Sequence, residues 1–161
     1  YIIGARSSGA LADFLGFHLH LMRENVININ IGTNTEVYEQ IFRIGKDDVC
    51  ICFSFPRYSQ RTVSALKFTH SQNAINIAIT DNENAPICKY SNYVLNVECG
   101  MISVVDSLAA PMSLINAILV AISVRKKNEI KETYDKLERL WSENKVYAKN
   151  QDLETDETGD I

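Results

Sequence analysis

Hydroxyl, arginine and glycine residues gather twice in this sequence, each time between an apolar run and a helical pattern. The chain opens "YIIGARSSGA". Tyr1-Ile2-Ile3 read as a strand, the chain turns at Gly4, and Arg6-Ser7-Ser8-Gly9 lead into a helix. Further on, "SFPRYSQRT" sets Ser54, Ser59 and Thr62 with two arginines, Arg57 and Arg61, after one apolar strand and before another helix. A strand that ends in such a turn exposes backbone N–H groups at the positive end of a helix dipole, which suits an anion. Hydroxyls add neutral donors, and an arginine adds a charged fork. Two such loops on neighbouring strands would enclose one phosphate monoester with no metal ion or other cofactor. Ser7, Ser8, Ser54, Arg57 and Ser59 are the candidate ligand-binding residues. The competing role for the serines is helix N-capping.

Other phosphate loops fit less well. The P-loop needs GxxxxGK[ST]; Gly4 and Gly9 have the spacing, but Ala10-Leu11 stand where the lysine and hydroxyl belong. The dinucleotide pattern GxGxxG would put its second glycine at Arg6, whose side chain would obstruct a pyrophosphate. No acidic ribose ligand closes the second strand, where Asn30 and Gly32 sit, and no aromatic loop suited to stacking a flavin or base is recognisable.

The elements that must hold these loops alternate. Leu11, Phe14, Leu15, His18, Leu19 and Met22 give a helix over about 8–24. "VININI" at 26–31 reads as a strand at a sheet edge. A short amphipathic helix at 36–43 is expected to close at Gly45. The apolar strand 49–53 suits burial on both faces of a parallel sheet. Helix 60–72, strand 74–80, a short helix near 85–90 and strand 92–97 follow, then helices at 107–125 and 128–148. The pattern predicts an α/β fold, a doubly wound five-stranded parallel sheet flanked by helices, with two C-terminal helices. Ligands are expected at the carboxyl ends of its strands. The final helix carries a stripe at Ile130, Tyr134, Leu137 and Trp141, with Glu132/Lys136 and Asp135/Arg139 at ion-pair spacing.

Composition narrows the class. A chain of 161 residues with 46% hydrophobic and 22% charged residues suits one globular domain. The net charge of −4 is concentrated in the end: residues 150–161 hold five acids and no base, leaving 16 basic against 15 acidic side chains over 1–149. A body domain over 1–149 and a disordered acidic tail over 150–161 are expected. A nearly neutral body lacks the basic footprint of a domain that grips nucleic acid by itself.

Four cysteines without framework spacing argue against a disulfide-stapled secreted domain. Cys50 and Cys52 share one face of a strand, where they pack rather than pair. His18 and His20, two apart on a helix, diverge and suggest no metal site. The apolar stretch Leu108–Val124 is broken by Pro111, Ser113, Asn116 and Ser123 and reads as a buried helix rather than a membrane span. The chain begins in an apparent strand, which suggests a fragment of a longer protein and a cytoplasmic location.

The two loops resemble those of the SIS (sugar isomerase) family, and more closely those of the effector-binding half of RpiR/MurR-type transcriptional regulators. Gly4 and Ser8 match the ends of a first loop resembling G-x-G-x-S, with Arg6 in place of the middle glycine. Ser54 and Ser59 match the first serine and the threonine of S-x-S-G-x-T, with Pro56 and Arg57 at the Ser-Gly pair. "IAIT" at 77–80 falls at the family's distance from Ser54, and "NAPICKYSNYVLNV" resembles its S-P-L segment, with Ala85 and Asn92 as departures. The resemblance spans about 1–100.

It implies a phosphosugar held by the hydroxyl loops, a homodimer, and DNA contacted through an N-terminal helix-turn-helix domain that this chain lacks. Arg57 would supply the donor that the second loop has lost. The alternative is an aldose–ketose isomerase, which needs a base in the sugar pocket. Glu98 and Asp106 lie near the end of the fifth strand, although Asp106 also suits a cap on the following helix.

Overall fold

A computed structural model of the chain describes residues 1–100 and 106–147. Five strands form one parallel sheet: β1 (Ile2–Gly4), β2 (Asn28–Ile29), β3 (Val49–Phe53), β4 (Ile75–Thr80) and β5 (Tyr93–Asn96), in the order β2-β1-β3-β4-β5. The helices are α1 (Ser7–Met22), α2 (Asn34–Ile41), α3 (Gln60–Ser71), α4 (Ala109–Arg125) and α5 (Lys127–Glu143), with a 3₁₀ turn at Cys88–Tyr90. This is the doubly wound α/β architecture that the alternation predicts.

Strand side chains alternate between two faces, and each face has its own core. Ile2, Phe53 and Ile79 pack beneath α1 and α4 through Leu11, Leu15, Ile115 and Leu119. Ile3, Cys50, Cys52 and Ala78 pack beneath α2 and α3 through Val37, Ile41, Ala65 and Leu66. Both cysteines are therefore fully buried packing residues on one face of β3, and neither is in a disulfide. Burial pushes the Cys50 thiol up to about 11, against smaller opposing effects of the amino terminus and Thr69.

Asn76 is a polar group inside the second layer, fully buried in β4. Its Nδ2 donates to the Leu66 carbonyl (3.1 Å) and the Tyr90 carbonyl (2.8 Å), and its Oδ1 accepts from Thr69 Oγ1 (2.9 Å). Every polar atom of that side chain is satisfied, as a buried amide requires.

Four local expectations need correction. The second strand is two residues long, not six, because the Gln40 side chain takes both the N–H and the C=O of Asn30 at 2.9 Å in place of a strand partner. Gly45 does not cap α2: the helix ends at Ile41, no glycine among the described residues has positive φ, and the Gly45 amide instead donates to Asp48 Oδ2 at 2.8 Å. The pairs Glu132/Lys136 and Asp135/Arg139 do not form. Among the described residues the one ion pair is Lys126–Glu129 at 2.6 Å, while Arg139 donates to the Asp135 backbone carbonyl. Asp106 does not cap α4, which starts after Leu108 with no side-chain cap.

The acidic tail at 150–161 lies outside the described residues. Among the described residues no single helix is long and apolar enough to cross a membrane, and α4 and α5 meet at 100°.

Candidate functional site

Strand order creates the cleft. The chain leaves β1 into α1 on one face of the sheet and leaves β3 into α3 on the other. Loops from these adjacent strands must part, which opens a crevice at the topological switch point between β1 and β3. The cleft found there encloses about 70 Å³ and is lined by Arg6, Ser7, Ser8, Ser54, Arg57, Ser59, Thr62 and Asp106. All five candidate residues of the sequence analysis, Ser7, Ser8, Ser54, Arg57 and Ser59, meet in it.

Gly4 sets the first wall. A Cβ there would collide with the backbone carbonyl of Ser8, so only glycine lets α1 start this close to β1. Ser8 is buried and Ser7 exposed on the first turn. The amides of Ser8 and Gly9 bond the Ala5 carbonyl (3.1 Å) and the Arg6 carbonyl (2.9 Å), so this helix end offers fewer free N–H groups than its sequence suggests.

The second wall is richer. Ser59 precedes α3, yet its hydroxyl makes no cap hydrogen bond. Among the described residues the amides of Gln60, Arg61 and Thr62 have no acceptor either. Ser54 is 3% and Thr62 0% exposed, and the hydroxyls of both are buried without a hydrogen-bond partner. A buried, unpartnered hydroxyl costs about 1–3 kcal/mol. Two of them lining one small cleft, beside a helix N-terminus with free amides, form a set of donors awaiting an acceptor.

Thr62 is a residue of this cleft that the sequence pattern does not single out. Its signal was position: side chains lean toward the helix N-terminus, so the third residue of α3 points back to the loop. Arg61 goes elsewhere, donating to the Gly32 carbonyl.

Arg6 and Arg57 have positive φ, 56° and 64°. They occupy the two places where the resembled loops carry glycine, which explains why glycine suits those places and gives each arginine a strained backbone. Tyr58, next to Arg57, anchors the second loop: its hydroxyl donates to Asp81 Oδ1 at 2.9 Å and accepts from Asn82 Nδ2 at 2.9 Å. Burial draws the Asp81 carboxyl up, but hydrogen bonds from Asn82, Tyr58 and its own surroundings outweigh it and hold the group below the usual carboxylate range. Burial and Asp81 together push the Tyr58 phenol up.

His18 is half-buried against the Phe14 ring, with centroids 4.6 Å apart, and lines no part of the cleft. Among the described residues no group of three His, Cys, Asp or Glu side chains is arranged to hold a metal ion.

A hydroxyl-lined, headgroup-sized cleft at the switch point of a 2-1-3-4-5 parallel sheet defines an α/β domain suited to a phosphorylated ligand. The family model of the SIS domain matches residues 1–121, and the chain belongs to that family. Its fold is similar to the sugar isomerase domain of the RpiR transcription factor from Sphaerobacter thermophilus, at TM-score 0.76 and 24% identity over 86% of this chain and 76% of that one. It is similar to the Vibrio vulnificus NanR protein complexed with ManNAc-6P, at TM-score 0.71 and 14% identity over 86% of this chain and 55% of that one. It is also similar to a candidate sugar-phosphate isomerase from Listeria monocytogenes, at TM-score 0.66 and 15% identity over 80% of this chain and 71% of that one. Among curated protein sequences none matches this chain significantly.

Proposed function

We propose that this chain is the phosphosugar-sensing effector domain of a cytoplasmic RpiR-type transcription regulator, with the domain over residues 1–149. The observation that carries this reading is the pair of buried, unpartnered hydroxyls, Ser54 and Thr62, in a cleft of headgroup size. The phosphate sits on those two hydroxyls with Ser8, Ser59 and the free amides of α3, and Ser7 and Arg57 reach the ester from the rim. The fold shared with the RpiR domain and with NanR, whose structure holds ManNAc-6P, supports a regulator and a sugar phosphate.

Two copies pair through the apolar surface of α4, where Val120 and Val124 are 61% and 71% exposed, and through the α5 stripe. Ligand binding biases the geometry of that dimer, and DNA responds through a helix-turn-helix domain outside this chain. The bias is a difference in ligand affinity between two states.

Asp106 favours a second reading, because it lines the cleft and offers a carboxylate to a sugar. An aldose–ketose isomerase would use it as the base. Among the described residues the cleft lining holds no second carboxylate and no histidine, so no acid–base pair is assembled there, and the sensor is the better reading.

Ligand-observed NMR with sugar phosphates, amino-sugar phosphates and the free sugars tests both. Saturable binding of a phosphate ester, without product peaks and without binding of its free sugar, is the expected result. Ser54→Ala should weaken binding by about 1–3 kcal/mol, roughly five- to 150-fold. Product peaks that vanish in Asp106→Asn would establish the isomerase instead. Equal binding of free sugar and ester would refute the phosphate site.

A further inference from the structure

We infer, resting on that phosphosugar reading, that the recognised ester carries a second acidic group beyond its phosphate, as a sugar bisphosphate or a phosphorylated sugar acid does. The cleft sorts its donors by depth. Ser54 and Thr62 are buried and neutral, in a volume of about 70 Å³. Their hydroxyls form the buried floor of the cleft, where a tetrahedral head group would sit. Arg6 and Arg57 line the same cleft but are exposed. They stand on its rim, one from each loop, within the same cleft lining, where a group that projects from the cradle would meet them.

Neither guanidinium has an ion pair among the described residues. The rim thus presents two unpaired cations and one carboxylate, Asp106. A neutral sugar would set only hydroxyls between these cations. A carboxylate or second phosphate would give them a bidentate partner of opposite charge.

Backbone geometry supports a functional role for both. Each arginine holds a positive φ, 56° and 64°, that glycine would adopt without strain. Strained non-glycine residues persist where the surrounding structure enforces them, and they cluster at ligand sites. Here two strained positions on separate loops both carry the same cation and both border one cleft.

Isothermal titration calorimetry of the whole chain tests this with inorganic phosphate, glucose 6-phosphate, glucose 1,6-bisphosphate and 6-phosphogluconate. At least one doubly acidic ester should bind about tenfold or more tightly than glucose 6-phosphate, and which one tells phosphate from carboxylate. In Arg6→Gly and Arg57→Gly that ratio should collapse to within about threefold, because the charged contact is lost. Their melting temperatures should hold or rise, since glycine relieves the backbone; a fall in both would remove the strain argument. Phosphate binding without discrimination among the three esters overturns the inference and leaves the phosphosugar reading standing. No binding of phosphate or of any ester removes both.

Discussion

Replacing Thr62 by valine keeps the shape of the side chain and deletes one hydroxyl. In the free protein that hydroxyl is fully buried and makes no hydrogen bond, so its removal relieves a penalty. The variant should be more stable by about 1–3 kcal/mol. For a chain of this length each kcal/mol raises the melting temperature by about 2–4 °C.

Phosphate should reverse the gain. If the hydroxyl donates to the bound anion with about 2 kcal/mol, its loss weakens binding about thirtyfold. At phosphate equal to about 100 times the wild-type Kd, the wild type gains about 2.7 kcal/mol and the variant only about 0.9. A lead of about 2 kcal/mol then shrinks to about 0.2. Thermal melts of both proteins across a phosphate titration read this directly, and the general salting effect of phosphate is common to both. A variant that melts below the wild type without phosphate, or keeps its lead at saturation, would refute the assignment of this hydroxyl to an anion.

Three further outcomes follow from other parts of the molecule. Cys50, buried and pushed up to about 11, stays protonated in the fold at pH values where the unfolded thiol has already ionised. The unfolded state then binds fewer protons, so stability falls as pH rises from about 9 to 11, by about 3 kcal/mol for this thiol. Urea melts across that range should show a shallower fall in Cys50→Ala, and an identical slope would contradict the burial effect. Tyr58→Phe removes the bond to Asp81 and frees the loop that carries Arg57 and Ser59. It should cost about 1 kcal/mol in a urea melt and weaken phosphate binding by calorimetry, whereas unchanged affinity would mean the loop holds its shape without this anchor. Asn76→Ala breaks three hydrogen bonds inside the core and should cost about 2–4 kcal/mol by chemical denaturation; a loss under 1 kcal/mol would imply that water replaces the amide.

The elements were legible because burial on both faces leaves a strong mark in sequence. "VCICF" and "INIAIT" are apolar runs bounded by turns, and α1 repeats its apolar residues at helical spacing. What failed was local and polar. Nothing in "VININI" announces that a glutamine ten residues on will take the backbone of Asn30. Gly45 and Asp106 carry the residue types of a helix cap, yet each end is settled by where the chain must go next.

The site itself was half legible. Ser8, Ser54 and Ser59 could be found because hydroxyls between a strand and a helix are a chemical pattern as well as a structural one. Thr62 was hidden because a threonine inside a helix looks like any other β-branched residue until its depth is known. Arg57 was legible as a candidate donor, but the backbone of both arginines was hidden for a deeper reason. Arginine is no turn former, so Arg6 and Arg57 gave no sign of positive φ, and only their coincidence with the glycines of the resembled loops hinted at it. A residue type that its backbone disfavours, placed twice around one cleft, carries more functional information than the serines do. Neither helix beside the cleft is capped by a serine side chain, so the serines are free for a ligand, while an arginine in a glycine's conformation costs the fold stability that contact with a ligand can offset.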